Sequence, residues 1–164
     1  MSTATASFPG SDTGRTPWPI RGIRNGLVAS IAMAMVMMVL GAFDTGFFAA
    51  PSSIWAFWAG PAAYEPDAFS LGFILGAMGH MMNSAMLGIV FAFLAARVLK
   101  LSGVLTSVMA AVVFALIVMA IMWTVVLPAT PNGDIVIGSA ATWIWALGHA
   151  AFGMVAGWLS AVWR

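Results

Sequence analysis

Long apolar runs separated by short polar segments dominate this sequence. A helix needs about 20 consecutive apolar residues to cross the ~30 Å hydrocarbon core of a bilayer. Four runs meet that length, at residues 25–43, 69–99, 101–127 and 139–163. The pattern therefore predicts an all-α, polytopic membrane protein in which four transmembrane helices form a compact bundle.

The polar segments set the expected domain boundaries. Residues 1–22 are rich in Ser, Thr, Gly and Pro, a composition typical of a disordered tail. Residues 23–164 then form the transmembrane domain, with a long outer loop at residues 44–68. We expect no cleaved signal peptide, because the first apolar run is longer than the 7–15 residues of a signal sequence.

The long outer loop carries its own helix signals. Residues 51–53 are typical of a helix start and residues 60–61, Gly-Pro, of a helix end. The segment between them is too short to span a bilayer. Its Trp55, Phe57 and Trp58 side chains suit the headgroup region, where aromatic residues collect. They are predicted to anchor the loop at the interface or to contact a partner.

Charge sets the expected orientation. All six Lys and Arg residues fall on one side of the four runs: Arg15, Arg21, Arg24, Arg97, Lys100 and Arg164. Four acidic residues fall in the connections on the other side: Asp44, Glu65, Asp67 and Asp134. Because cytoplasmic loops are enriched in Lys and Arg, we predict a multi-pass protein of the bacterial inner membrane with both termini cytoplasmic. A formal net charge of +1 gives no basis for a nucleic-acid partner.

The four runs look like two copies of one helix pair. Aligning His80 with His149 also aligns Ser84 with Gly153 and Gly88 with Gly157. The first and third runs open alike, with Gly26 and Ser30 matching Gly103 and Ser107. Both copies start from the same side, so the repeats would be parallel, about an axis along the membrane normal.

Small residues recur at four-residue spacing along the second and fourth runs. Such spacing lets helix backbones approach closely inside a membrane. The predicted packing positions are Gly72, Gly76, Ser84, Gly88, Gly153 and Gly157.

The two histidines are the candidate functional residues. His80 and His149 each follow a glycine within an apolar run, and ionisable residues inside a membrane are functional candidates by default. The simplest interpretation is packing with hydrogen bonds across helices, with Asn83, Ser84, Thr106 or Ser107 as acceptors or donors.

A second interpretation makes His80 and His149 axial ligands of a tetrapyrrole. Bundle cores hold cofactors in this way, and a glycine beside each histidine would leave room for a flat ring. Few cations lie near to pair with haem propionates, which favours an esterified chlorin over haem b. The Gly72, Gly76 and His80 spacing resembles the approach to the pigment-ligating histidine in bacterial light-harvesting helices, and that resemblance implies a (bacterio)chlorophyll.

The sequence gives less support to a metal site or to a transport function. Met81 and Met82 follow His80, but adjacent helical residues point about 100° apart, so a copper site is disfavoured. The spans hold no Asp or Glu of the kind that proton-coupled transporters carry.

No catalytic motif stands in the chain, and we predict no enzyme. The leading functional hypothesis is a small accessory or structural subunit of a larger respiratory, redox or photosynthetic membrane complex. Its partners would be the lipid bilayer and other membrane subunits. A haem- or chlorin-binding protein and a small transporter are the alternatives.

Overall fold

The computed structural model describes residues 16–163, and that part of the chain is helical. Its helices are α1 (Trp18–Gly41), α2 (Ala49–Ala59), α3 (Leu71–Phe93), α4 (Val104–Ile121), α5 (Gly133–Gly138) and α6 (Thr142–Val162). A π-helical turn extends α3 through Leu94–Val98, and another extends α4 through Met122–Val126. With these turns, α1, α3, α4 and α6 are long and apolar enough to cross a membrane. The predicted all-α, four-span architecture is confirmed.

The first span starts earlier than the hydropathy pattern indicates. α1 begins at Trp18, about two turns before the predicted boundary at residue 25. Pro17 precedes the helix and Pro19 lies in its first turn, where the missing N–H of proline costs nothing. Arg21 therefore lies on α1 rather than ahead of it. Most of the predicted tail, residues 1–15, lies outside the described part of the chain.

The spans pack as two close pairs joined through α1 and α6. α1 crosses α3 where Gly22 and Gly26 meet Ser84 and Gly88, and a Cβ on Gly88 would lie 2.8 Å from the Gly26 Cα. α6 crosses α4 in the same manner, and a Cβ on Gly157 would lie 2.5 Å from the Ser107 carbonyl oxygen. Contact between α1 and α6 then unites the two pairs.

The proposed repeat matches the crossing positions on α3 and α6 but not those on their partners, α1 and α4. Gly88 and Gly157, aligned by the sequence, both lie at a crossing. Their partners do not correspond: Gly88 packs on Gly22 and Gly26, whereas Gly157 packs on Ser107. The matched glycine of the third run, Gly103, lies just outside α4 and has φ +108°. The residues that the sequence aligns between the first and third runs are therefore not the residues that occupy equivalent packing positions.

The outer loop packs into the bundle. A Cβ on Gly76 would collide with the Pro51 carbonyl, and one on Gly72 would lie 2.8 Å from the carbonyl oxygen of Ala63. These two glycines thus admit α2 and the turn after it, rather than another span. Gly60, with φ +94°, ends α2 at the predicted place.

The aromatic residues of α2 divide between the bundle and the surface. Phe57 packs against the hydrophobic core, and Trp55 is half-buried. Trp58 is 68% exposed, with its ring stacked edge-on against Phe57. Of the three predicted contact residues, Trp58 is therefore the one that presents most of its surface outward.

Two hydrogen bonds, here called the clasp, join the segment after α1 to the segment before α6. The Asp44 carboxylate accepts a hydrogen bond of 2.7 Å from the Ala141 amide, directly before α6. The Thr45 hydroxyl donates to the Ser139 carbonyl at 2.5 Å. A carboxylate at a helix N-terminus satisfies a free N–H and favours the helix dipole. The clasp fixes the start of α6, and hence the depth of the residues that follow on it.

Candidate functional site

His80 lies beside a cavity in the half of the bundle nearer α2. α1 and α3 cross near Gly26 and Ser84, and α2 packs against both of them. The cavity has a volume of about 140 Å³. Its main lining residues are Ser30, Ala34 and Met37 of α1, Pro51 and Ile54 of α2, Phe73 and His80 of α3, and Trp145 of α6.

The mouth of this cavity faces the lipid. Ile31 and Met35 of α1 and Met81 of α3 line it, and all three side chains are exposed. Molecules dissolved in the acyl chains can therefore reach the cavity between α1 and α3 without passing through water.

Three residues that line the cavity each bury a polar atom without a hydrogen-bond partner in the described structure. These atoms are His80 Nε2, Ser30 Oγ and Trp145 Nε1. Ser30 is 1% exposed and Trp145 is 4% exposed. Buried polar groups are nearly always paired, and an unpaired one costs about 1–3 kcal/mol. Three such atoms around one cavity make it the candidate functional site.

His149 is held differently from His80. Its Nδ1 lies 2.8 Å from the Trp145 carbonyl oxygen, one turn earlier on α6. This contact requires the proton on Nδ1, so Nε2 keeps its lone pair. The Trp145 ring lies 6.3 Å from the His149 ring, centroid to centroid, and also lines the cavity beside His80.

The two imidazoles are neighbours but do not share a cavity. They are close enough to interact electrostatically, yet His149 does not line the cavity beside His80. The hydrogen-bond partners expected from the sequence are not used: Asn83, Ser84, Thr106 and Ser107 bond to neither ring within the described chain. The Ser30 carbonyl instead lies near the His80 ring.

The residues around the histidines do not make room for a tetrapyrrole. A cavity of about 140 Å³ matches one of ~150 Å³ that holds benzene. The glycines expected to admit the macrocycle face other side chains: a Cβ on Gly79 would lie 3.6 Å from Ile54, and one on Gly148 would lie 2.7 Å from Met37. The geometry therefore gives no support to haem or chlorin ligation by His80 and His149.

No group of three His, Asp or Glu side chains within residues 16–163 is placed to hold a metal ion. The arrangement around His80 offers an imidazole, a hydroxyl and an indole N–H beside an apolar space. The surface of the cavity itself is apolar and these three polar atoms are buried behind it, so the cavity as it stands suits a small apolar molecule.

Sequence reasoning singled out His80 but missed two of its companions. Ser30 enters the sequence pattern only as the match to Ser107 in the proposed repeat, and no sequence feature distinguishes Trp145 from the other tryptophans. Ser30 lies one turn beyond Gly26, and that small-residue spacing indicates helix packing whether or not a cavity is present.

No known family model matches the chain, and neither a curated protein nor a solved structure is significantly similar to it.

Proposed function

We propose that this protein is a small integral membrane subunit that packs through α3 against a helix of a larger membrane complex. The observation that carries the proposal is Asn83. It is exposed on α3 and makes no hydrogen bond to any residue between 16 and 163. Its amide lies about 18 Å from the Leu71 end of the span, at 1.5 Å per residue.

An amide at that depth needs a partner. Moving such a group from water into a hydrocarbon without a hydrogen bond costs about 4–8 kcal/mol, and the side chain is too short to reach either headgroup region. Polar residues in transmembrane helices normally face other helices and bond across them. The amide of Asn83 therefore indicates a helix that presents a carbonyl, hydroxyl or amide at mid-membrane.

The surface around Asn83 favours a protein partner over lipid. At 3.6 residues per turn, Asn83 continues the face of α3 that α2 covers at Gly72 and Gly76. Beyond the part that α2 covers, toward Asn83, that face of α3 is exposed. Met82 and Met86 border it on one side with exposed, flexible side chains, which adapt readily to a partner surface.

The site beside His80 supports a binding role rather than a catalytic one, which is compatible with a subunit. The charge distribution supports an orientation in the bacterial inner membrane with both termini cytoplasmic. A respiratory, redox or photosynthetic complex remains the proposed setting for the subunit.

Photo-crosslinking in living cells tests the proposed interface. A benzophenone amino acid replaces either Met86, which is 60% exposed beside Asn83, or Met109, which is 60% exposed on α4. We expect Met86 to give one discrete heavier adduct and Met109 to give lipid adducts only. The Met86 adduct should fall at least fivefold in Asn83→Leu, as expected for an interhelical bond of about 1 kcal/mol or more.

Three results would overturn the proposal. Equal adducts from both positions would mean that α3 has no special surface. An adduct unchanged by Asn83→Leu would remove the amide from the interface. An adduct of twice the mass of this chain would make the partner a second copy instead of a larger complex.

A further inference from the structure

A second cavity lies at the cationic end of the bundle, opposite the one beside His80. Its volume is about 290 Å³, roughly twice that of the cavity beside His80. All four spans or the turns that extend them contribute to its wall, through Arg21, Asn25, Ala95, Ser107, Ser160 and Trp163. Neither the proposed interface on α3 nor the site beside His80 uses these residues.

Two polar atoms in this cavity wall are buried without a partner. One is the Nε of Arg21 and the other is the Oδ1 of Asn25, a residue that is 4% exposed. Asn25 cannot simply turn its amide, because its Nδ2 donates to the Ser160 hydroxyl at 3.3 Å. That hydroxyl donates in turn to the Ala156 carbonyl at 2.7 Å. The wall thus offers a charged donor and, beside it, a fixed acceptor.

No acidic residue within the described chain neutralises Arg21. It makes no ion pair there, and Asp44, Glu65, Asp67 and Asp134 lie in the connections at the other end of the spans. A half-buried guanidinium without a counter-ion attracts an anion, and its planar donors match phosphate oxygens.

The cavity lies at headgroup depth. Arg21 is in the first turns of α1, and Trp18 and Trp163 also line the cavity. Tryptophan is enriched at that depth of the bilayer. The guanidinium of Arg24 lies 4.2 Å from the centroid of the Trp163 ring, which holds that ring in the cavity wall through a cation–π contact.

We propose that this cavity binds the headgroup of an anionic phospholipid whose phosphate accepts from Arg21 and whose hydroxyl donates to Asn25 Oδ1. Basic pockets between transmembrane helices are known to hold lipid phosphates. The unpaired Oδ1 adds a requirement, because a phosphate alone would leave it without a donor. Phosphatidylglycerol meets both requirements, whereas phosphatidylcholine carries a headgroup that donates no hydrogen bond.

Native mass spectrometry of the full-length protein in detergent, titrated with dioctanoyl phosphatidylglycerol, tests the proposal. We expect saturable binding of one lipid, at least tenfold weaker in Arg21→Gln, since a hydrogen bond to a charged group carries that much affinity. Asn25→Leu should reduce the preference for phosphatidylglycerol over phosphatidylcholine. Arg97→Gln removes an exposed charge from the same end and should leave binding within twofold.

Arg21→Lys keeps the charge and serves if the glutamine variant does not fold; it should weaken binding at least threefold because it loses the planar donors. Equal losses of lipid affinity in Arg97→Gln and Arg21→Gln would mean that the lipid is attracted by the general positive charge of this surface, and the proposed site would be wrong. Unchanged binding in both Arg21 variants would do the same. Titration with glycerol phosphate separates the sources: binding as tight as that of the lipid would make the ligand a soluble phosphate ester.

Discussion

Gly88→Ala is expected to destabilise the bundle by about 3 kcal/mol, the upper end of the usual cost of overpacking a core. The added methyl would meet the Gly22 carbonyl and lie 2.8 Å from the Gly26 Cα. Both are backbone atoms, so α1 and α3 would have to separate. Helix propensity acts the other way, because alanine is about 1 kcal/mol better than glycine inside a helix.

Gly79→Ala provides the matched control on the same helix. A Cβ there would lie 3.6 Å from an Ile54 methyl, which is ordinary van der Waals contact. The control should be neutral or slightly stabilising, since it gains the helix propensity without the collision. Unfolding by SDS in mixed micelles, followed by circular dichroism, measures both variants. Equal stability of the two would mean that α1 and α3 do not cross at Gly88.

His80→Leu is expected to stabilise the protein by about 1–3 kcal/mol, although it alters the candidate site. His80 Nε2 is buried without a partner, and replacing an unpaired polar group with an apolar one of similar size removes its desolvation cost. Leucine also suits the cavity wall formed by Ala34, Met37 and Ile54. A residue retained at a cost in stability points to a role in binding.

His149→Leu is the control for that result. His149 Nδ1 bonds to the Trp145 carbonyl on its own helix, and losing one such bond should cost about 1 kcal/mol or less. The same unfolding assay applies to both variants. A loss of stability in His80→Leu would show that the imidazole does have a partner, either the nearby Ser30 carbonyl or a bound group. If a Soret band disappeared with it, that partner would be a haem, and the packing around Gly79 and Gly148 would need to differ from that described.

Hydropathy was sufficient to predict the four spans, and helix start and stop signals predicted the short outer helix and its end at Gly60. Hydropathy succeeds because a bilayer imposes length and apolarity on each span separately. The small-residue spacing identified Gly88 and Gly157 as crossing points. It could not distinguish these from Gly72 and Gly76, which admit α2 and its following turn, because a glycine stripe records close approach and not the identity of the neighbour.

The candidate site was less accessible from the sequence. His80 stood out because an ionisable residue in an apolar run is rare. Ser30 and Trp145 did not, because their place beside the cavity depends on how α1, α3 and α6 pack together, which is a three-dimensional property. The clasp from Asp44 to Ala141 was missed for a similar reason, since it joins two loops far apart in the chain.

Single-cysteine labelling of the chain tests whether α1, α3 and α4 cross the membrane in alternate directions from a cytoplasmic N-terminal end. The sequence contains no cysteine, so each introduced thiol is unique. Positions Thr16 and Ser102 lie at one end of the bundle, and Asp67 and Ala129 at the other; all four are exposed. With a membrane-impermeant maleimide on intact cells, we expect labelling of Asp67→Cys and Ala129→Cys, and of Thr16→Cys and Ser102→Cys only after permeabilisation. Labelling of Thr16→Cys and Asp67→Cys from the same side of the membrane would contradict this topology.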